Sequence, residues 1–303
     1  MGPSPNKPSV TTLTVADCCA EITKRLESAD LHYGHGASNA HSEALWIVSK
    51  QLGVSPAEAQ DLGHTTLSSS MVHDAIQIAQ QRISSRQPLA YLLGEAWLMG
   101  VPFDCTPQSI IPRSLIAELI VSGALDPWLP ADGTVLDLCT GNGSLAILTA
   151  LHYPDLQIMA SDLSLPALAL AARNLDRHHL SEQIELLHGN LWDAIPDTNE
   201  SHSFDLIICN PPYVNEESMH SLPKEYLAEP REALAGGQDG MDLIRKIIAR
   251  ATDYLNERGA LVLEIGNEYE NFQKAFPHIP AIWMDVSAGD TQVCLIQAED
   301  LPR

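Results

Sequence analysis

Residues 204–213 read Phe-Asp-Leu-Ile-Ile-Cys-Asn-Pro-Pro-Tyr. Six strand-forming residues run straight into a rigid polar turn, which predicts a buried strand that delivers Asn210 and Tyr213 to its end in fixed positions. Asn-Pro and Pro-Pro are also ordinary turn punctuation, so the turn gains its weight from its surroundings. Upstream lies Thr140-Gly141-Asn142-Gly143-Ser144, a tight loop between the apolar run Val135-Leu136-Asp137-Leu138-Cys139 and a helix over 145–152. A strand, a Gly-x-Gly loop and a helix in that order set backbone N–H groups against a ligand at the C-terminal edge of a sheet.

From Thr134 onward strand and helix patterns alternate, with further strands at 156–160, 184–188, 204–209 and 260–265. That alternation is the signature of a doubly wound, Rossmann-like α/β sheet, mostly parallel. Two last apolar stretches, 281–286 and 292–296, flank Gly289 closely enough to pair antiparallel, so the final strand should be reversed. Ahead of this catalytic domain, 115–303, the chain has a different texture. Thr14 with Asp17 caps a first helix bearing Val15, Cys18, Ile22 and Leu26. After a break at Tyr33-Gly34-His35-Gly36 comes a helix with Ala44, Leu45, Val48 and Leu52 that stops at Gly53. Ser55-Pro56-Ala57-Glu58 is a capping box, and Ser70 opens a fourth helix. These make a small helical domain over 13–86. Residues 87–114 carry Tyr91, Leu93, Trp97, Val101 and Phe103 around Gly94 and Gly100, and predict a β-hairpin linker. Arg113 follows at the junction, either as a surface charge or as a cofactor- or substrate-facing group.

The bulk numbers narrow the chemistry. With 303 residues, 45% hydrophobic and 18% charged, the chain can bury a full core and is expected to be globular. Residues 1–12 lack an apolar signal core and are expected to form a flexible lead-in; with no run long enough to span a bilayer, the reading is cytoplasmic. Cysteines at 18, 19, 105, 139, 209 and 294 show no paired spacing and read as reduced packing thiols. The twelve histidines show no metal-binding pattern, so no metal is expected. Acidic residues outnumber basic ones 39 to 17, for a formal charge of -22. Such a surface opposes a phosphate backbone, so no direct nucleic-acid recognition is expected; it either serves solubility alone or attracts a basic polypeptide.

The glycine loop also constrains its ligand. The third glycine of the dinucleotide fingerprint is absent, Leu145 or Ala146 standing there, and no Gly-Lys-Ser/Thr clamp follows, which disfavours a pyrophosphate. Asp162 ends the second strand about 20 residues beyond the loop, where a carboxylate can accept from both ribose hydroxyls. At the third strand end Asn190 can accept from an adenine amino group and Leu191 can pack on the ring. With Asn210 at the fourth, the strand ends fit a nucleoside without phosphates, S-adenosylmethionine.

In these features the chain resembles the class I methyltransferases that modify the side-chain amide of protein glutamine, the HemK-like family. The residues that carry the likeness are the loop from Asp137 through Thr140, Gly141, Asn142 and Gly143 to Ser144, the acidic strand end Asp162, and Asn210-Pro211-Pro212-Tyr213. It extends over almost the whole chain. Tyr33-Gly34-His35-Gly36, Leu222-Pro223-Lys224-Glu225-Tyr226 with Glu229-Pro230, and Glu264-Ile265-Gly266-Asn267 are similar to the branch that acts on large-subunit ribosomal protein three, called PrmB. Pro112-Arg113-Ser114-Leu115-Ile116-Ala117-Glu118 departs from the branch acting on peptide release factors. The resemblance implies that the helical domain selects the protein partner. Asn190 stands where the family commonly has Asp, keeping an acceptor without its charge, and Cys139 replaces the first loop glycine and stiffens the turn.

The implied chemistry suits the turn. An amide nitrogen is a poor nucleophile, and orientation serves better than deprotonation. Asn210 and the Pro211 carbonyl can each accept one amide hydrogen, the two prolines hold those acceptors rigid, and Tyr213 would stack on the planar amide. Glu225 and Glu229 are either solvated or guide a basic substrate. Gly236-Gly237-Gln238 repeats a release-factor target tripeptide and is taken as coincidence. Three other readings remain at this point: glutamine methylation of release factors, methylation of nucleobase amino groups, and a non-catalytic assembly factor.

Overall fold

The computed structural model describes residues 13–196 and 203–302; the expected lead-in over 1–12 lies outside them. The chain divides into two compact units, Met1–Leu93 and Gly94–Arg303.

The first unit is helical. Helix α1 (Val15–Glu27) begins at a reciprocal box in which Thr14 accepts from the Asp17 N–H and the Asp17 carboxylate accepts from the Thr14 N–H. Its stripe of Val15, Cys18, Ile22 and Leu26 is buried, as the helical period requires. Helix α2 (Ala40–Leu52) ends at Gly53 in the left-handed conformation, and the Ser55/Glu58 box opens α3 (Pro56–Asp61). In α4 (Ser69–Ser85) the cap is Ser68 rather than Ser70, because its Oγ accepts from the Met71 N–H at 3.3 Å. A buried ion pair ties α4 to α2. Arg82, 1% exposed, donates through Nε to both Glu43 oxygens at 3.0 and 3.2 Å and through Nη2 to the His32 carbonyl at 2.9 Å. The unit closes with α5 (Leu89–Leu93), a short helix where the sequence predicted extended chain.

The hairpin therefore starts later than expected. Strands β1 (Glu95–Leu98) and β2 (Val101–Asp104) pair antiparallel, with Leu98 opposite Val101. Met99 and Gly100, both at positive φ (50° and 78°), form the two-residue turn between them, a geometry that matches strand twist. After it come α6 (Ile116–Ser122), β3 (Thr134–Leu138), α7 (Ser144–His152), β4 (Gln157–Asp162) and α8 (Leu165–His178). The hairpin is fastened to α8 by Arg177, which donates to the Glu95 and Asp104 carboxylates at 2.7 Å each.

The remaining elements are β5 (Ile184–His188), β6 (Phe204–Cys209), α9 (Glu216–Ser221), α10 (Asp242–Ile248), β7 (Leu255–Glu264), α11 (Tyr269–Ala275), β8 (Ile282–Trp283) and β9 (Val293–Gln297). Seven strands form one sheet in the order β5-β4-β3-β6-β7-β9-β8, parallel throughout except that β9 runs against both neighbours. The mostly parallel sheet with a reversed last strand is thus present, and β9 inserts between β7 and the two-residue β8. Alternate residues of each strand feed two cores: Val135, Leu206, Ile208 and Val262 on the face toward α6 and α7, and Leu136, Ile207, Leu261 and Leu263 on the face toward α10 and α11. Burying each such side chain stabilises the fold by about 1.5–3 kcal/mol. Burial on both faces explains why these strands read as unbroken apolar runs.

The order reverses at β3, whose neighbours are β4 on one side and β6 on the other. Leu138 lies opposite both Ser161 and Cys209, and Asp162 opposite His188. The segments that follow β3, β4, β5 and β6 consequently emerge along one sheet edge, at the switch point where open α/β sheets bind ligands.

Candidate functional site

The loop after β3 is built around a buried acid. Asp137 is fully buried, and its Oδ2 accepts from Thr140 Oγ1 at 2.5 Å and from the Ala146 N–H at 3.1 Å, which draws the loop over the start of α7. Its Oδ1 has no partner among the described residues. Burial pushes this carboxyl up to about 7, against the pull of those two bonds. Gly141 and Gly143 both hold positive φ, and so does Cys139, at 65°. For a residue with a Cβ that conformation costs about 1–2 kcal/mol. The Gly141 N–H donates to Asp162 Oδ2 at 2.8 Å, and the Ser164 N–H to Asp162 Oδ1 at 2.8 Å. Burial raises the Asp162 carboxyl while these backbone bonds oppose it. These backbone donors hold the Asp162 carboxylate in one orientation at the end of β4. Asn142 is 3% exposed and its Nδ2 has no partner among the described residues.

Beyond β5 the two candidates diverge. Asn190 is exposed, whereas Leu191, at φ 51°, belongs to the core on the α10 face together with Trp192. The apolar side chain that stands open beside Asp162 is Leu163, 64% exposed. The sequence offered no sign of it, because a leucine after a strand reads as core.

Asn210 follows Cys209 directly, and the Leu138–Cys209 register sets its turn beside the glycine loop. A cavity of about 230 Å³ opens there, lined by Arg113, Asn210, Pro211, Tyr213, Tyr226 and Glu264 among others. Pro212 is half-buried and does not line it. The turn is gripped from behind by backbone. The Val214 N–H donates to the Leu234 carbonyl and the Gly236 N–H to the Val214 carbonyl, both at 2.9 Å. A Cβ on Gly240 would stand 2.3 Å from the Tyr213 carbonyl oxygen, and one on Gly266 2.4 Å from the Tyr213 ring. Gly236, within the tripeptide set aside as coincidence, would meet the Tyr213 Cα at 2.7 Å. Gly240→Ala is therefore expected to lower stability by about 1–3 kcal/mol, since backbone cannot swing aside as a side chain can. Thermal unfolding reads this, and an unchanged Tm would mean the Tyr213 peptide shifts freely.

Carboxylates complete the surround, and they correct the reading of Glu225 and Glu229 as solvated or substrate-guiding groups. Glu225 is fully buried and Glu229 is 5% exposed. Glu229 takes Arg113 in a two-pronged ion pair at 2.5 and 2.8 Å and also accepts from the Ile111 N–H at 3.0 Å. Arg113 in turn lies over the Tyr226 ring, 5.5 Å from its centre. Glu264 accepts from Tyr213 Oη at 3.2 Å. Apart from its place in a quoted motif Glu264 carried no signal, although a lone acid within the apolar run 260–265 is a mark of an internal partner.

The site thus has two halves at one sheet edge, a glycine loop with acids at adjacent strand ends and a rigid amide-bearing turn over a small cavity. The Methyltransferase small domain family matches residues 118–240, which include both. Over 291 residues the chain is 42% identical to the ribosomal protein uL3 glutamine methyltransferase of Bordetella pertussis, covering 95% of this chain and 96% of the relative. It is likewise 42% identical over 295 residues to that of Burkholderia pseudomallei, covering 95% and 96%. For that of Neisseria gonorrhoeae the identity is 38% over 291 residues, covering 95% of each. Likeness of this depth, running from the helical unit through the sheet, means that the chain belongs to the family of ribosomal protein uL3 glutamine methyltransferases.

Proposed function

We propose that the protein transfers a methyl group from S-adenosylmethionine to the side-chain amide nitrogen of a glutamine in ribosomal protein uL3. The observation that carries this reading is the register of Leu138 on Cys209, which sets the Asn210 turn against the glycine loop. The residues present fit the cofactor. Asp137 Oδ1 and Asn142 Nδ2, both buried and without a partner among the described residues, are polar atoms that a ligand can satisfy. Thr140, Gly141 and Gly143 shape the loop, Asp162 presents a carboxylate to ribose hydroxyls, and Asn190 with Leu163 offers an acceptor and an apolar face to the base. The cofactor supplies an electrophilic methyl group carried on a sulfonium.

The chain's own contribution is orientation. Asn210 Oδ1 and the Pro211 carbonyl accept the two amide hydrogens and turn the nitrogen lone pair toward the reaction. Neither proline has an N–H, so no competing donor blurs that selection. Tyr213 forms a wall against the amide plane, and Arg113, held by Glu229, lines the same cavity. Electrostatics favour a basic protein over nucleic acid, given a charge of -22. In the same reading the helical unit chooses the partner, and the protein acts in the cytoplasm, where ribosomal proteins are made. Among the described residues no helix is long and apolar enough to cross a membrane.

Labelled cofactor offered with purified uL3, a release factor, naked RNA and naked DNA tests this directly. The label is expected on a glutamine of uL3. Label confined to the release factor or to nucleic acid would overturn the assignment in favour of those substrates.

A further inference from the structure

We propose that Glu264 is a positioning residue for methyl transfer, acting through Tyr213. It fixes the phenol so that the ring stands as an immobile wall of the cavity that receives the glutamine amide. The inference rests on the function proposed above and falls with it.

Glu264 ends β7 and is 3% exposed. Its two oxygens are divided between two tasks. Oε2 accepts from Ser114 Oγ at 2.6 Å and from the Leu115 N–H at 2.9 Å, so the segment leading into α6 holds the carboxylate in one orientation. Oε1 is thereby aimed at the cavity side, where it accepts from Tyr213 Oη at 3.2 Å. An acid in such a place is costly, since burial works against its charged form. Packing alone does not call for it, because well-packed apolar residues often replace buried charges at no loss of stability.

The mechanical situation of Tyr213 shows what the acid adds. Gly240 and Gly236 sit against its backbone, and Gly266 leaves the ring no space to retreat. What those glycines do not fix is the rotation of the ring about its side-chain torsions. A hydrogen bond at the phenol tip resists that rotation with the longest lever available. By accepting at Oε1, Glu264 keeps the phenolic proton pointed away from the amide.

Tyr213→Phe removes this bond while keeping the ring, and Glu264→Gln weakens it while keeping the volume. Each is expected to lower kcat on uL3 roughly 10-fold, short of the 10²-fold that a misplacement of about 1 Å costs. KM for uL3 and the cofactor Kd by calorimetry should stay near wild type, because the bond orders the ring without adding a contact to either. The double variant should be no slower than the slower single variant, the outcome required if Glu264 works through the phenol. Wild-type kcat in Tyr213→Phe would overturn the inference, as would a double variant whose loss is the product of the two single losses. If Glu264→Gln fails to fold, Tyr213→Phe decides alone, since it leaves Ser114 and Leu115 untouched. A wild-type protein that modifies uL3 beside an equally fast Tyr213→Phe sinks only the role of Glu264. A wild-type protein that ignores uL3 sinks the proposed function and this inference together.

Discussion

Asn210→Ala is expected to lower kcat by about 10²–10³-fold, the loss typical when one preorganised polar group is removed from a reaction site. The variant deletes the side-chain acceptor and leaves the strand that carries it intact, because Leu206, Ile207, Ile208 and Cys209 are buried whatever follows them. One amide hydrogen would then lack its acceptor, and the nitrogen lone pair would no longer be held on line. Cofactor binding should remain measurable by calorimetry, since Asp137, Thr140, Gly141 and Asp162 are untouched. Single-turnover kinetics with uL3 separate the effects. Turnover within a few-fold of wild type would remove Asn210 from the chemistry and shift attention to the Pro211 carbonyl.

Glu43→Ala should produce the largest loss of stability among single changes in the helical unit, about 3–5 kcal/mol. Both partners are dry: the side chains of Arg82 and Glu43 are 1% and 4% exposed. Removing the acid strands a guanidinium inside the unit, with the His32 carbonyl among its remaining partners. Total stabilities are about 5–15 kcal/mol, so such a loss approaches unfolding. Arg82→Met in the Glu43→Ala background should recover much of it by removing a buried charge that has lost this carboxylate. Denaturant unfolding of the three variants provides the check. A change under about 1 kcal/mol would rank the pair with exposed ones such as Arg25–Glu21, whose side chains are 36% and 43% exposed.

What could be read from the chain follows a physical divide. Signals confined to neighbours in sequence were legible. The Thr14/Asp17 and Ser55/Glu58 boxes close within three residues, and β6, sealed on both faces, shows as an unbroken apolar run from Leu206 to Cys209. The strand-end acids and the Asn210 turn were legible for the same reason, each being a polar interruption at the end of such a run. Residues 89–93 were not, because five apolar residues satisfy a helical and an extended period equally well. Charges with distant partners were opaque. Arg113 meets Glu229 across 116 positions and Ser114 meets Glu264 across 150, so Glu229 read as either solvated or substrate-guiding when its partner lay far away in sequence. Leu191, expected to pack on the base, lies among the buried residues of the α10 face while Leu163 stands open beside Asp162, and a leucine next to a strand end carries no local sign of which of these it will do.

The bare Cα atoms behind Tyr213 have an implication for engineering. An amide-reading turn of this type is cast in a mould, and the mould is main chain contributed by two separate stretches, around 236–240 and at 266. Grafting Asn-Pro-Pro-Tyr alone onto another parallel sheet would transfer the casting without its mould, and the loop would relax. A successful transplant has to carry both glycine stretches with it, even though neither supplies a side chain to the reaction.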